Sequence, residues 1–288
     1  MNTLVIRALA KINLAIDVFS RREDGYHDID MVTVPLKLHD SIEITPLGNK
    51  FDTYLFCDDP TLICDESNLA YKALAGMKAN FKLTDNYRIF IYKKIPVEAG
   101  LGGGSADAAA VIKALANYLP KSADKEKKIN DLAINIGSDV PFCLYDKPSR
   151  VRGIGEKLDP IKVNYPYYVL IVKPNYGLST KSVYDGFDLI KEEIKHPDIP
   201  ALIDALAKGD EEAMKENMVN VLSVPAIKAL PLIADILDEL EMMNLPLCGM
   251  SGTGSACYAL SKDHRLLERA AQVFIKEGKS AYLSQFEI

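Results

Sequence analysis

The sequence predicts an α+β fold in two packed halves, on three observations. Strand-like and helix-like stretches alternate through the first 150 residues, and the texture changes near 150–165. Four glycines fall within positions 100–104, between a strand and a helix. At 288 residues the chain is long for one core and comfortable for two.

In residues 4–18 apolar residues alternate, with Ile12, Leu14, Ile16 and Val18 on one strand face. Lys11, Asn13, Ala15 and Asp17 then point the other way. The polar cluster Ser20-Arg21-Arg22-Glu23-Asp24-Gly25 reads as a hairpin loop. Further strands are expected at 29–36, 41–45, 51–56 and 88–93. Ser67 is expected to cap a helix carrying Leu69, Ala73, Leu74 and Met77. Ser105 is expected to cap an alanine-rich helix over 106–118. Ser122 begins another, which ends near Gly137 as a left-handed C-terminal residue. Past residue 155, a strand at 167–172 precedes several helical stretches. A glycine turn at 251–255, a strand at 256–260, a helix and a last strand at 281–286 follow.

Composition narrows the function. Apolar content of 48% and charged content of 26% are ordinary for a soluble globular chain. A net charge of -6 argues against nucleic acid as partner, so any anion must be held in a locally built site. The five cysteines are odd in number and form no CxxC pair, which fits inert thiols in a reducing compartment. The four histidines, at 27, 39, 196 and 264, lack chelating spacing. Arg7, Lys11 and Asp17 interrupt the apolar N-terminal stretch, unlike a signal peptide. No run reaches the ~18–20 apolar residues a membrane span needs. The expected location is the cytoplasm, with no membrane partner.

Four blocks carry chemistry. Pro96-Val97-Glu98-Ala99-Gly100-Leu101-Gly102-Gly103-Gly104-Ser105-Ala106 joins a strand to a helix. Its glycines permit close backbone approach, and the helix N-terminus adds N–H donors, so the block suits a phosphate. It is not a Walker A loop, since no Lys-Ser/Thr follows, nor a dinucleotide motif, since Asp107 stands at the third glycine position. In Ala10-Lys11-Ile12-Asn13-Leu14, strand alternation sets Lys11 beside Asn13, although Lys11 alone equally suits a solvated strand edge. In Gly137-Ser138-Asp139-Val140-Pro141-Phe142, Asp139 among apolar neighbours suits either a helix cap or a general base. Cys248-Gly249-Met250-Ser251-Gly252-Thr253-Gly254-Ser255 reads as a second small-residue turn over a ligand. It lacks the hydrolase G-x-S-x-G spacing.

In this order the blocks resemble the GHMP kinases, among them galactokinase, homoserine kinase and mevalonate kinase, over nearly the whole chain. Arg22-x-Asp24-Gly25-Tyr26-His27 is similar to the branch of that family acting on a cytidine-diphospho sugar alcohol. The resemblance implies a two-domain GHMP kinase fold, domains at 1–155 and 156–288, and an active site in the cleft between the halves. It implies ATP and Mg²⁺ as cofactors and a small cytidine-diphospho molecule as partner, in a monomer or weak homodimer. Asp139 would be the general base and Lys11 its charged partner. Pro96, Val97, Glu98, Ala99, Gly100, Leu101, Gly102, Gly103, Gly104, Ser105 and Ala106 would hold ATP, with Asn68 and Lys93 at the adenine. Asn13 would contact substrate, Tyr26 and Tyr184 would stack on cytosine, and His27 would hydrogen-bond its edge. Ser105 is the metal ligand suggested by family analogy. The chain departs from the family at Ser138, usually alanine, and at Ser255-Ala256, where many relatives have proline and a β-branched residue.

Overall fold

The computed structural model describes residues 2–288. The chain forms two compact units that interleave along the sequence instead of dividing at one point. The first holds Met1–Ala10, Leu38–Val97 and Gly102–Asp146; the second holds Lys11–Lys37, Glu98–Leu101 and Lys147–Ile288. Two long strands, β1 (Leu4–Arg21) and β2 (His27–Gly48), lend a segment to each unit. The pattern predicts two strands at 29–36 and 41–45, but β2 is continuous. The polar His39-Asp40 step that suggests a break lies inside it, and Asp40 is fully buried.

In the first unit the C-terminal part of β2 pairs antiparallel with β4 (Asn86–Tyr92) from Ser41↔Tyr92 onward. The edge strand β3 (Tyr54–Cys57) runs parallel to β4. The helices are α1 (Leu69–Phe81), α2 (Gly103–Ala116), α3 (Ala123–Ile136) and α4 (Val140–Tyr145), with α1 and α4 packed on α2. Alanines at 106, 108, 109, 110 and 114 make α2 slim and bury it on nearly every side. Its caps differ from the expected ones. Asn68, not Ser67, caps α1, because the Ser67 hydroxyl turns back to Asp65. Gly102 stands at the N-cap of α2 with no side-chain cap at all. Ser122 caps α3 as expected, but Gly137 has φ 176°, an extended conformation rather than a left-handed one.

In the second unit the N-terminal part of β2 pairs with β5 (Ser149–Gly153), which continues to β6 (Lys157–Pro160). A separate antiparallel sheet has the order β10-β7-β9-β8, from β7 (Tyr168–Lys173), β8 (Cys248–Met250), β9 (Cys257–Ser261) and β10 (Ser280–Gln285). Between them lie α5 (Thr180–Phe187), α6 (Ile199–Lys208), α7 (Glu211–Asn217), α8 (Ser223–Ala229), α9 (Leu232–Met242) and α10 (His264–Lys276). Helix α10 shows why these segments fold as they do. Asp263 caps its first turn by accepting from the Arg265 and Leu266 amides, and Leu267, Ala270, Ala271 and Phe274 form one buried stripe. Full burial of Phe274 alone is worth about 1.5–3 kcal/mol. No helix among the described residues is long and apolar enough to cross a membrane.

Candidate active site

In the second unit, Lys11 and Asn13 are buried at 3% and 1% exposure, so Lys11 is no solvated edge residue. The Lys11 Nζ donates to Asn13 Oδ1 at 2.7 Å. Asn13 Nδ2 donates to Thr33 Oγ1 at 2.9 Å and to Met31 Sδ at 3.2 Å. Both amide N–H groups are thus engaged inside the protein. Asn13, expected at the substrate, holds the lysine ammonium in place and keeps one Oδ1 lone pair in reserve.

The second small-residue turn braces the same strand. Asn13 N donates to Ser251 Oγ at 3.3 Å, Ser251 Oγ donates to the Gly100 carbonyl at 2.9 Å, and Lys11 N donates to the Leu101 carbonyl at 3.0 Å. Gly100 has φ +70°, and a Cβ there would lie 2.1 Å from the Ser251 carbonyl oxygen. Gly100→Ala is therefore expected to cost more than the roughly 1–2 kcal/mol of a left-handed L-residue, because backbone cannot rotate away. Thermal unfolding and ATP affinity should both fall; an unchanged melting temperature would refute the packing account. Of the departures from the family, Ser255 has a use here, since its hydroxyl donates to the Tyr176 carbonyl. Ser138 is exposed, and nothing in the structure explains it.

In the first unit, Gly102 (φ +71°) turns the chain into α2, whose leading N–H groups have no side-chain cap. That turn can hold an anion through free donors and the helix dipole. The Gly137–Asp139 turn lies beside it: a Cβ on Gly137 would be 3.9 Å from Ser105 Oγ. Asp139 occupies the N-cap position of α4, yet its side chain makes no capping hydrogen bond. The helix-cap alternative for Asp139 is therefore not the one the structure uses. Lys113 on α2 donates to the Cys143 carbonyl at 2.7 Å and pairs with Asp146, pinning α4.

Beneath the same turn is a cluster that sequence reasoning missed. Lys93 Nζ sits 2.6 Å from Asp40 Oδ2 and 2.9 Å from Asp107 Oδ2, with all three side chains at 5% exposure or less. A Cβ on Gly103 would lie 3.1 Å from Lys93 Nζ, so the ammonium underlies the first turn of α2. Lys93, expected at adenine, thus spends its charge on two carboxylates. Asp40 also accepts from the Lys94 and Ile95 amides, whereas Asp107 Oδ1 has no partner. One ammonium cannot balance two carboxylates, and Asp107 is the one that suffers. Burial pushes it up to about 7, with Lys93 pulling the other way and Asp40 adding to the rise. Burial lowers the Lys93 value, but Asp107 and Asp40 outweigh it and raise it. The one sequence signal was Asp107 itself, a lone charge on the buried side of an alanine helix.

Asn68 is likewise committed in part. Its Oδ1 accepts from Ala70 N and its Nδ2 donates to the Ile63 carbonyl, leaving one N–H and one lone pair.

The hairpin residues divide. Tyr26 is 58% exposed at the tip, while His27 is buried, so His27 is not part of a solvated tip. The His27 ring lies 5.2 Å from Tyr184, tilted by 31°, and meets Phe187 edge-on at 6.4 Å. Its Nε2 is 2.8 Å from Asp188 Oδ1. Tyr184, Phe187 and Asp188 share one side of α5 and its C-cap because residues three and four apart are neighbours on a helix.

Comparison with known proteins gives these features a context. Residues 68–147 match the GHMP kinases N terminal domain, and residues 202–280 match the GHMP kinases C terminal domain. A 4-diphosphocytidyl-2-C-methyl-D-erythritol kinase of Clostridium kluyveri is 37% identical over 284 residues, covering 98% of each chain. One of Lachnoclostridium phytofermentans is 36% identical over 288 residues, covering 99% of this chain and 98% of that one. A crystal structure of 4-(cytidine 5'-diphospho)-2C-methyl-D-erythritol kinase superposes with a TM-score of 0.81 at 30% identity, over 99% of this chain and 100% of the other. A homoserine kinase from Cytophaga hutchinsonii, at 17% identity and a TM-score of 0.77, shares the fold.

Proposed function

Because the chain belongs to the 4-diphosphocytidyl-2-C-methyl-D-erythritol kinases of the GHMP kinase family, we propose the following allocation of roles to its residues. The enzyme transfers the ATP γ-phosphoryl group to the 2-hydroxyl of the methylerythritol unit, a step of the non-mevalonate route to isoprenoid precursors. The observation that carries the site assignment is the uncapped start of α2 behind the left-handed Gly102. Such a turn offers backbone donors to the β- and γ-phosphates without a Walker lysine.

Phosphoryl transfer asks the protein chiefly for position and charge stabilisation. Asp139 takes the proton of the 2-hydroxyl as the new O–P bond forms and the bond to the departing ADP breaks. Lys11, held by Asn13, favours negative charge on the reacting oxygen. Tyr26 and Tyr184 stack on the cytosine, and His27 reads its edge. Mg²⁺ bound with ATP would supply neutralisation of phosphate charge. It needs only one or two protein oxygens beside those of phosphate, and the Ser105 hydroxyl in the first turn of α2 is the donor that this loop offers. The working form is cytoplasmic, as a monomer or weak homodimer.

The test is direct. Purified protein, ATP and 4-diphosphocytidyl-2-C-methyl-D-erythritol should give ADP and the 2-phosphate in equal amounts. Absence of product while an ATP analogue still binds would overturn the substrate reading and turn attention to other small alcohols.

A further inference from the structure

We propose that Asp188 is a positioning residue that fixes the His27 tautomer and thereby makes the site accept cytosine over uracil. The proposal rests on the cytidine reading above and adds a residue to it. A carboxylate can accept a hydrogen bond but cannot donate one. Across the 2.8 Å contact, the proton therefore sits on His27 Nε2 and points at Asp188 Oδ1. In the neutral ring that leaves Nδ1 with a lone pair, an acceptor with no hydrogen bond among the described residues.

The arrangement is well held. The His27 side chain is 5% exposed, and Tyr184 and Phe187 fix its plane. Arg21 Nη1, 3.6 Å from Asp188 Oδ2, holds the carboxylate from its other side. Cytosine carries an exocyclic amine, a donor, where uracil carries a carbonyl, an acceptor. An imidazole acceptor can bond the first and can only oppose the second. Rejection of an analogue that leaves buried polar groups unpaired is the strongest discrimination a site can build.

Asp188→Asn tests the role with a near-isosteric change. Its amide can present N–H to Nε2, which moves the ring proton to Nδ1 and turns the acceptor into a donor. The preference for the cytidine substrate over its uridine analogue, as a ratio of kcat/KM, should fall by about ten- to a hundredfold. KM for the cytidine substrate should rise by more than kcat falls. Asp188→Glu, which keeps an acceptor, should retain more of the preference. In the free protein, ¹⁵N spectra of the histidine rings, with His27 assigned by its loss in His27→Gln, should show the Nε2–H form in the wild type.

An unchanged cytidine-to-uridine ratio in Asp188→Asn, with the wild type active, would overturn this role and leave the kinase reading standing. So would a wild-type spectrum showing the proton on Nδ1. A wild type that turns over neither substrate would remove the kinase reading, and the role of Asp188 with it.

Discussion

Asp139→Asn is expected to lower kcat by about 10²–10⁴-fold, the usual contribution of a positioned general base. Asp139 makes no side-chain capping bond to α4, and asparagine is as good an N-cap residue as aspartate. The turn is held by backbone instead, with Cys143 N donating to the Asp139 carbonyl. The fold should survive the change, since that backbone bond does not depend on the carboxylate, and the melting temperature reports it. Nucleotide affinity should persist, because the turn at Gly102 proposed to hold phosphate is untouched. Turnover, ATP binding by calorimetry and melting temperature together decide it. A loss of less than tenfold in kcat, with stability intact, would remove Asp139 from the proton-transfer step.

Lys93→Met should be the most damaging change to stability. It leaves Asp40 and Asp107 facing each other in the interior, and breaking a buried pair of this kind costs about 3–5 kcal/mol. The loss should depend on pH. Asp107 holds its proton up to about 7 in the folded state, well above an ordinary carboxylate. Between roughly pH 4 and 7 the folded form therefore binds more protons than the unfolded one, and this group's contribution to stability falls as pH rises. The deficit of Lys93→Met should accordingly be smaller at pH 5.5, where Asp107 holds its proton, than at pH 8. Asp107→Asn should flatten the wild-type dependence over the same window. Urea unfolding at several pH values measures all three, and a deficit that ignores pH would refute the account.

What the sequence made legible follows from how local each signal is. The glycine turn ahead of α2 could be read because its four glycines crowd into positions 100–104 and their backbone freedom is a property of the residue itself. The Lys11–Asn13 pair could be read from strand alternation. That both are buried could not, because Ser251, which braces Asn13, arrives from 238 positions away. Helix α1 was placed correctly but capped one residue early, since Ser67 and Asn68 are both good caps and only the loop geometry at Asp65 decides between them. The Lys93 cluster was hidden for the same reason. Its members stand at 40, 93 and 107, and no local pattern pairs them. Asp188 follows a helix as an ordinary polar residue until the fold brings His27, 161 positions upstream, against it.

The interleaving of the two units bears on how the chain comes off the ribosome. Strand segment 11–37 belongs to a unit whose other segments are Glu98–Leu101 and everything from residue 147 onward. Leu36 bridges to Phe286, and Glu287 N donates to the Pro35 carbonyl. At about 5–20 residues per second, on the order of tens of seconds separate synthesis of this segment from synthesis of its last partner. β1 and β2 can pair with each other at once, but the β2 edge that meets β5 stays open until residues 149–153 are made. The N-terminal half made alone is therefore expected to aggregate more than the full chain.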